Sequence, residues 1–299
     1  MLRGISLDRS RLGAASILFG ELGKVDVGGW SISYRVAGEG PPLVLLHGDG
    51  VSSVDWSWVL PALSRTRRVY VPDLLGSGVS DKLRGMDYSP AWMAGIISAF
   101  MNSLGIGRAA MVGSSIGGQT ALRLALSEPA RVSALVLANS TSLGRGVNPF
   151  LPVGLLPGAG ELSIRWAKTP PGALQRALTR AASLFALPWR APREWVVDQV
   201  RLARTPGFME AALAAPRSQV GRLGQREILL DKLPSLKAPT LVVWGDRDRV
   251  VPVVQAEEAA ARLGDRRPTI FAGYGHLPHV ECPDRFAEAV LRFLDEEEA

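Results

Sequence analysis

Short apolar runs, each ending in a glycine- or proline-rich turn, punctuate the first half of the chain and return near its end. From Trp30 the pattern alternates, with Trp30, Ile32, Tyr34 and Val36 set against Ser31, Ser33 and Arg35, which predicts a half-exposed strand. Leu43 to Leu46 is apolar throughout and ends in His-Gly; Val69 to Val71 ends in Pro-Asp. Ala109 to Val112, Ala134 to Ala138, Leu241 to Trp244 and Thr269 to Ala272 repeat the theme. Runs apolar on both faces suit strands covered by helices on either side, so the pattern predicts an α/β fold with a mostly parallel, doubly wound sheet. Helical patterns fill the intervals at Pro90 to Leu104 and Gly118 to Ser127. Asp284 to Leu294, with Phe286, Val290 and Phe293 on one face, predicts a closing amphipathic helix.

Between about Thr141 and Ser235 the strand-like runs vanish. Prolines and glycines cluster from Gly144 to Gly160, and Ala, Leu and Arg-rich helical stretches follow, clearest at Pro170 to Leu187 and Pro192 to Arg204. The division this predicts is a core made of residues 25–140 and 236–299, interrupted by a helical insertion at 141–235 that acts as a cap. Trp166, Phe185, Trp189, Trp195 and Phe208 are expected to line an acyl pocket or to form the insertion's own core, and the core is the favoured reading. Residues 1–24 read as a leader, weakly ordered or helical, whose apolar patch Ala14 to Gly20 is too short for a membrane span and poor as a signal-peptide core.

Composition narrows the function classes. With 299 residues, 47% apolar and 21% charged, the chain resembles an ordinary globular protein, and a cytoplasmic location follows by default. One cysteine, Cys282, allows no internal disulfide, and no Cys and His cluster has metal-ligand spacing, so neither metal nor cofactor is expected. The net charge is +6, yet basic residues form no run and no stripe interleaved with aromatics, which argues against nucleic-acid binding. The insertion alone holds 13 basic and 6 acidic residues, a balance of +7, so the rest is close to neutral. That excess suits an anionic substrate, an acidic membrane surface or simply a solvated face. Oligomeric state is not legible.

Gly113-Ser114-Ser115-Ile116-Gly117 fits G-x-S-x-G. Alone the match is weak, but it lies between a predicted strand and a predicted helix. A turn that sharp strains the serine and crowds its neighbours, so glycines two residues either side relieve the clash. Ser114 is the poorer nucleophile because the glycines are centred on Ser115.

Together with four further motifs, this segment resembles the α/β-hydrolase family. Leu43-Val44-Leu45-Leu46-His47-Gly48-Asp49-Gly50 is similar to the family's strand and oxyanion loop, and Pro72-Asp73-Leu74-Leu75-Gly76-Ser77-Gly78-Val79-Ser80 to its P-D-x-x-G-x-G-x-S turn. Trp244-Gly245-Asp246-Arg247-Asp248 is similar to its acid loop and Gly275-His276 to its final histidine loop, all in family order. The resemblance implies Ser115 as nucleophile, His276 as general base, Asp248 as the acid, and the amides of Asp49 and Ile116 as oxyanion donors. A serine hydroxyl needs a base, imidazole has a suitable pKa, a buried carboxylate fixes its tautomer, and backbone N–H groups meet the oxyanion.

Each role has a rival. His279 competes with His276, and Asp246 with Asp248; the family spacing favours His276 and Asp248. His47 and Asp73 read as loop-pinning residues. Some relatives place the acid after the preceding strand, where this chain has Asn139, which carries no charge. Asp49 is a departure, since a carboxylate beside an oxyanion site repels it; its side chain either turns toward an arginine or meets a polar part of the substrate. The implied reaction is hydrolysis of small to medium carboxylic esters as small-molecule substrates. Cleavage of carbon–carbon bonds in ring-fission diketones, acyl transfer and a non-catalytic ligand-binding receptor stay open.

Overall fold

The computed structural model describes residues 20–83, 85–149, 155–264 and 267–298. Strands β1 (Glu21–Val27), β2 (Trp30–Ala37), β3 (Pro42–Leu46), β4 (Arg68–Pro72), β5 (Ala109–Ser114), β6 (Val132–Ala138), a short β7–β8 hairpin (Val220–Gly221 and Gly224–Gln225), β9 (Thr240–Gly245) and β10 (Thr269–Phe271) follow along the chain. Eight of them form one sheet in the order β1-β2-β4-β3-β5-β6-β9-β10. The pairs from β4 to β10 are parallel, and β1 and β2 join antiparallel at one edge. Residues 21–24, grouped with the leader by the sequence, belong to β1; the rest of the leader through residue 19 lies outside the described residues. The signal for β1 is faint because its exposed Glu21, Leu22 and Lys24 interrupt any apolar alternation.

Alternation within each central strand explains why the runs are apolar throughout. Val44, Leu46, Met111, Leu135, Leu137 and Trp244 face one core layer, while Leu43, Leu45, Ala110, Val112, Val136 and Val243 face the other. Helices α1 (Pro90–Ser103) and α2 (Ile116–Ser127) cover the first face. The C-terminal helix Pro283–Glu298 covers the second with Phe286, Val290, Phe293 and Leu294. Such burial stabilises by roughly 25 cal/mol per Å² of apolar surface. Register pairs Leu46 with Gly113, Ser114 with Ala138 and Ala138 with Val243. The loops that follow β3, β5, β6 and β9 therefore emerge side by side at the carboxyl ends of these strands, where open α/β sheets build their sites.

Among the described residues between β6 and β9 run the α-helices α3 (Ala159–Ala167), α4 (Pro170–Leu184), α5 (Arg193–Arg204) and α6 (Phe208–Gln219). Thr169 starts α4 by accepting the Gly172 N–H, with prolines in its first turn. Ile164, Ala173, Leu202, Phe208 and Met209 make a core among these helices, and Ala181, Leu184, Phe185 and Trp195 pack on Val51, Leu277 and Val280 at the same end of the sheet. Phe185, Trp195 and Phe208 are thus buried as the sequence predicts, whereas Trp166 and Trp189 face solvent. None of the described helices is long and apolar enough to cross a membrane.

Buried charge joins the two parts. Ser52 donates to Asp198 (2.8 Å), and the Trp195 indole N–H donates to Asp55 Oδ1 (3.0 Å). Asp55 Oδ2 is buried with no partner among the described residues, so an ionised carboxylate there would lack a donor to stabilise it. Burial, with Asp198 nearby, pushes the Asp55 carboxyl from 3.8 up to about 8, against the pull of Arg180 and the Trp195 bond. The native protein then holds a proton that the unfolded chain has released between those values, so this contribution to stability is full below pH 3.8 and is lost as pH rises through about 8. Thermal midpoints are therefore expected to fall from pH 6 to pH 8.5, and Asp55→Asn, which keeps the Trp195 bond, is expected to flatten that slope. An equal slope in both proteins would refute the assignment.

Candidate active site

The elbow after β5 is as tight as its glycines demand. A Cβ on Gly113 would stand 2.4 Å from the Gly117 carbonyl oxygen, and one on Gly117 would stand 2.3 Å from that of Leu46. Ser115 itself adopts φ 54°, one of three positive-φ residues other than glycine among those described, with Asn139 and Ser142. Strain of this kind persists only where surroundings enforce it, and it gathers at functional sites. Here Ser115 N donates to Ala138 O (3.0 Å), and Ser115 O accepts from Gly118, Gln119 and Thr141, which hold the turn. Ser114 is turned into the protein, its Oγ buried without a partner among the described residues.

Asp248 and His276 meet. His276 Nδ1 lies 2.7 Å from Asp248 Oδ2, with both side chains almost wholly buried. A carboxylate can only accept, so Nδ1 carries the proton and Nε2 keeps its lone pair. Asp248 Oδ1 accepts the amides of Val250 (2.7 Å) and Val251 (3.0 Å). Asp246 faces elsewhere, capping a turn through Gly273 N (2.6 Å). His279 is buried and stacked on Trp56, and burial pushes its pKa down to about 3, so it packs as a neutral ring. His47 accepts Leu74 N at Nε2 (3.0 Å) and donates from Nδ1 to Gly48 O (2.8 Å), pinning its loop. Asp73 likewise accepts Ser53 N and Val79 N.

Ser115, Ile116, Gly48, Asp49 and His276 share the wall of a cavity of about 380 Å³, with Arg180, Leu184, Val251 and Leu277 among its other lining residues. That volume accommodates a small to medium organic molecule. Ile116 opens α2, where the first N–H groups have no acceptor within the helix. Asp49 meets arginines through its backbone as well as its charge: Arg180 donates to Asp49 O (2.7 Å) and Arg176 to Gly50 O (3.1 Å). Burial pushes the Asp49 carboxyl up to about 6, with Arg180 and Arg176 opposing the rise. The two guanidiniums thus offset the repulsion that a carboxylate would exert on an anion forming there.

Three positioning groups escape the motifs. Arg249 donates to the carbonyls of Ala182, Phe185 and Ala186 at the end of α4, tying the loop of Asp248 to that helix. Glu281 accepts Gly275 N (2.7 Å) and Ala186 N (2.9 Å), which does the same for the histidine's loop. Asn139, fully buried after β6, donates from Nδ2 to Asp248 Oδ2 (2.7 Å), the oxygen that also accepts the His276 Nδ1–H. Only the last was signalled in the sequence, by its position after a predicted strand. Asn139→Ala is expected to lower kcat by on the order of tenfold, as loss of a hydrogen bond to a charged group should. Asn139→Asp is expected to be worse, because two carboxylates at that distance cannot both ionise. Unchanged turnover in both variants would remove Asn139 from the site.

The alpha/beta hydrolase fold family model matches residues 41–283, and the chain belongs to that family. It is a hydrolase of the α/β fold. It is 33% identical to 2-hydroxymuconate semialdehyde hydrolase of Pseudomonas putida over 283 residues, covering 91% of this chain and 93% of that one. It is 30% identical to pimeloyl-[acyl-carrier protein] methyl ester esterase of Aeromonas hydrophila over 268 residues, covering 88% and 99%. Among solved structures, the meta-cleavage product hydrolase from Pseudomonas fluorescens superposes with a TM-score of 0.77 at 25% identity, covering 94% of this chain and 99% of that one.

Proposed function

We propose that this protein is a serine hydrolase of carboxylic esters, working through a Ser115–His276–Asp248 triad and an acyl-enzyme under a helical cap formed by residues 141–235. The observation that carries the reading is the 2.7 Å Asp248–His276 bond, set in the wall of the cavity that Ser115 also lines. In the first half-reaction Ser115 Oγ attacks the ester carbonyl while His276 Nε2 takes its proton. The carbonyl oxygen becomes an oxyanion held by the amides of Asp49 and Ile116, each such donor contributing about two to three orders of magnitude in rate. Collapse expels the alcohol, which receives the proton from His276, and water then releases the acid by the same steps in reverse order. Asp248 remains ionised throughout and stabilises the imidazolium.

A second reading has support of its own. A hydrolase of 2-hydroxymuconate semialdehyde is a relative over nine-tenths of the chain, and Arg180 at the cavity wall suits a substrate bearing a carboxylate. The same nucleophile and oxyanion donors would then cleave a carbon–carbon bond in a vinylogous diketone. Labelling by a fluorophosphonate, followed by a panel of p-nitrophenyl esters and ring-fission diketones, separates the two. Esters turned over at least about tenfold faster in kcat/KM support the first reading, a difference of transition-state binding of one factor of ten. The opposite ranking favours the second, and absence of labelling refutes both.

A further inference from the structure

Eight of the eleven large apolar side chains exposed among the described residues lie in the helical insertion, although it makes up less than a third of the chain. Four of them form one surface. Leu162 (68% exposed) and Trp166 (50%) stand one turn apart on α3, and Leu174 (48%) and Leu178 (55%) one turn apart on α4. The Trp166 indole N–H donates to Gln175 Oε1 (2.6 Å), which brings the two helix faces together beside Leu174 and Leu178. Thr179, the next residue, and Ser183 line the cavity, so the apolar face runs to the cavity's rim.

The unpaired charge on the insertion is mostly basic, with exposed Glu194 as its acidic exception. Arg165, Arg190, Arg193 and Arg204 are exposed and form no ion pair among the described residues. The insertion's acidic groups are largely spent: Glu161 pairs with Arg217, Glu210 with Lys168, Asp198 with Arg201 and Asp231 with Arg262. Glu227 pairs with Arg123 from outside the insertion. Contiguous apolar patches of this kind mark interaction surfaces. Leucine and tryptophan beside unpaired arginines are the composition that lies in the headgroup region of an anionic bilayer, where the rings sit at the interface and the guanidiniums meet phosphate.

We propose that the α3–α4 face docks on an anionic lipid bilayer and sets the cavity's rim against it. Substrate then enters from the lipid phase past Leu178 and Thr179. Docking does not depend on the proposed chemistry, and binding alone tests it. The full chain is sedimented with vesicles of equal parts phosphatidylcholine and phosphatidylglycerol, and with vesicles of phosphatidylcholine alone. Binding to the first, weakened by salt and at least about tenfold poorer on the second, is the expected result. The combined variant Leu162→Ser, Trp166→Ser, Leu174→Ser and Leu178→Ser should lose that binding by at least tenfold while keeping the wild-type thermal midpoint. Arg165→Glu with Arg190→Glu, which leaves the apolar side chains in place, should lose it too. Wild-type protein that stays in the supernatant overturns the proposal, as does undiminished binding by both variants, which would assign attachment to another part of the chain. Self-association in light scattering that the serine substitutions abolish, without vesicle binding, would also overturn it and give the face to a second copy.

Discussion

Ser115→Ala is expected to abolish fluorophosphonate labelling and to lower kcat for the preferred substrate by about six orders of magnitude, leaving only the residual rate that binding and the oxyanion donors supply. The substitution removes one oxygen and keeps Cβ, so the elbow's packing is untouched. The backbone strain at φ 54° belongs to the turn and not to the hydroxyl, and it stays. The thermal midpoint should therefore stay within a degree or two of wild type, about what a surface-scale change allows. Because Ser114 is buried one residue away, it cannot take over without unwinding a turn so tight that a Cβ on Gly113 or Gly117 would stand 2.4 or 2.3 Å from a neighbouring carbonyl oxygen. Persistent labelling of the alanine variant, mapped by peptide mass, would move the nucleophile elsewhere and undo the proposed triad.

The sheet was legible because its central strands are buried on both faces, and burial on both faces writes an uninterrupted apolar run. Leu43 to Leu46 and Ala134 to Ala138 are read without ambiguity for that reason. An edge strand leaves no such trace, and β1, with Glu21, Leu22 and Lys24 exposed, merged with the leader. Ser33 shows the same limit from the other side: alternation predicts it exposed, yet the turn carrying Ser80 folds over it and donates no apolar signal. The sequence motifs of Ser115, Asp248 and His276, which form the proposed triad, stand out because each sits just after a strand, in a loop whose glycines are required by close approach. Arg249 and Glu281 were not, since their partners are backbone carbonyls and amides, which every residue possesses and no motif records.

These two side chains also explain how a site assembled from distant loops keeps its geometry. Arg249 fastens the loop after β9 to the end of α4, where carbonyls lack intrahelical partners. Glu281 fastens the loop after β10 to the residue just beyond the same helix, and His276 N donates to Leu184 O (2.7 Å). Asp248 and His276, the proposed acid and base, are thus referenced to one helix end instead of only to the sheet. The face of that helix turned to the cavity carries Arg180 and Leu184, so these lining side chains and the Asp248–His276 pair share one support.

Asp248→Asn is expected to lower kcat by about four orders of magnitude with little loss of fold, because it reverses the tautomer of His276. Asp248 accepts four bonds: from Val250 and Val251 at Oδ1, and from His276 and Asn139 at Oδ2. An asparagine has one accepting oxygen. The two rigid backbone amides claim it, leaving the new NH₂ to face His276 Nδ1 and the Asn139 amide. Asn139 can turn its own amide over and present Oδ1, which has no partner among the described residues in the native arrangement. His276 can answer only by moving its proton to Nε2, and a protonated Nε2 cannot take the proton of Ser115. Asp246→Asn is the matched control, two residues earlier in the same loop, where the carboxylate caps Gly273 N. That variant should keep turnover to within about threefold, the scale of losing part of one exposed hydrogen bond. Equal losses from the two substitutions would mean that the loop's charge, and not the bond to His276, governs the rate.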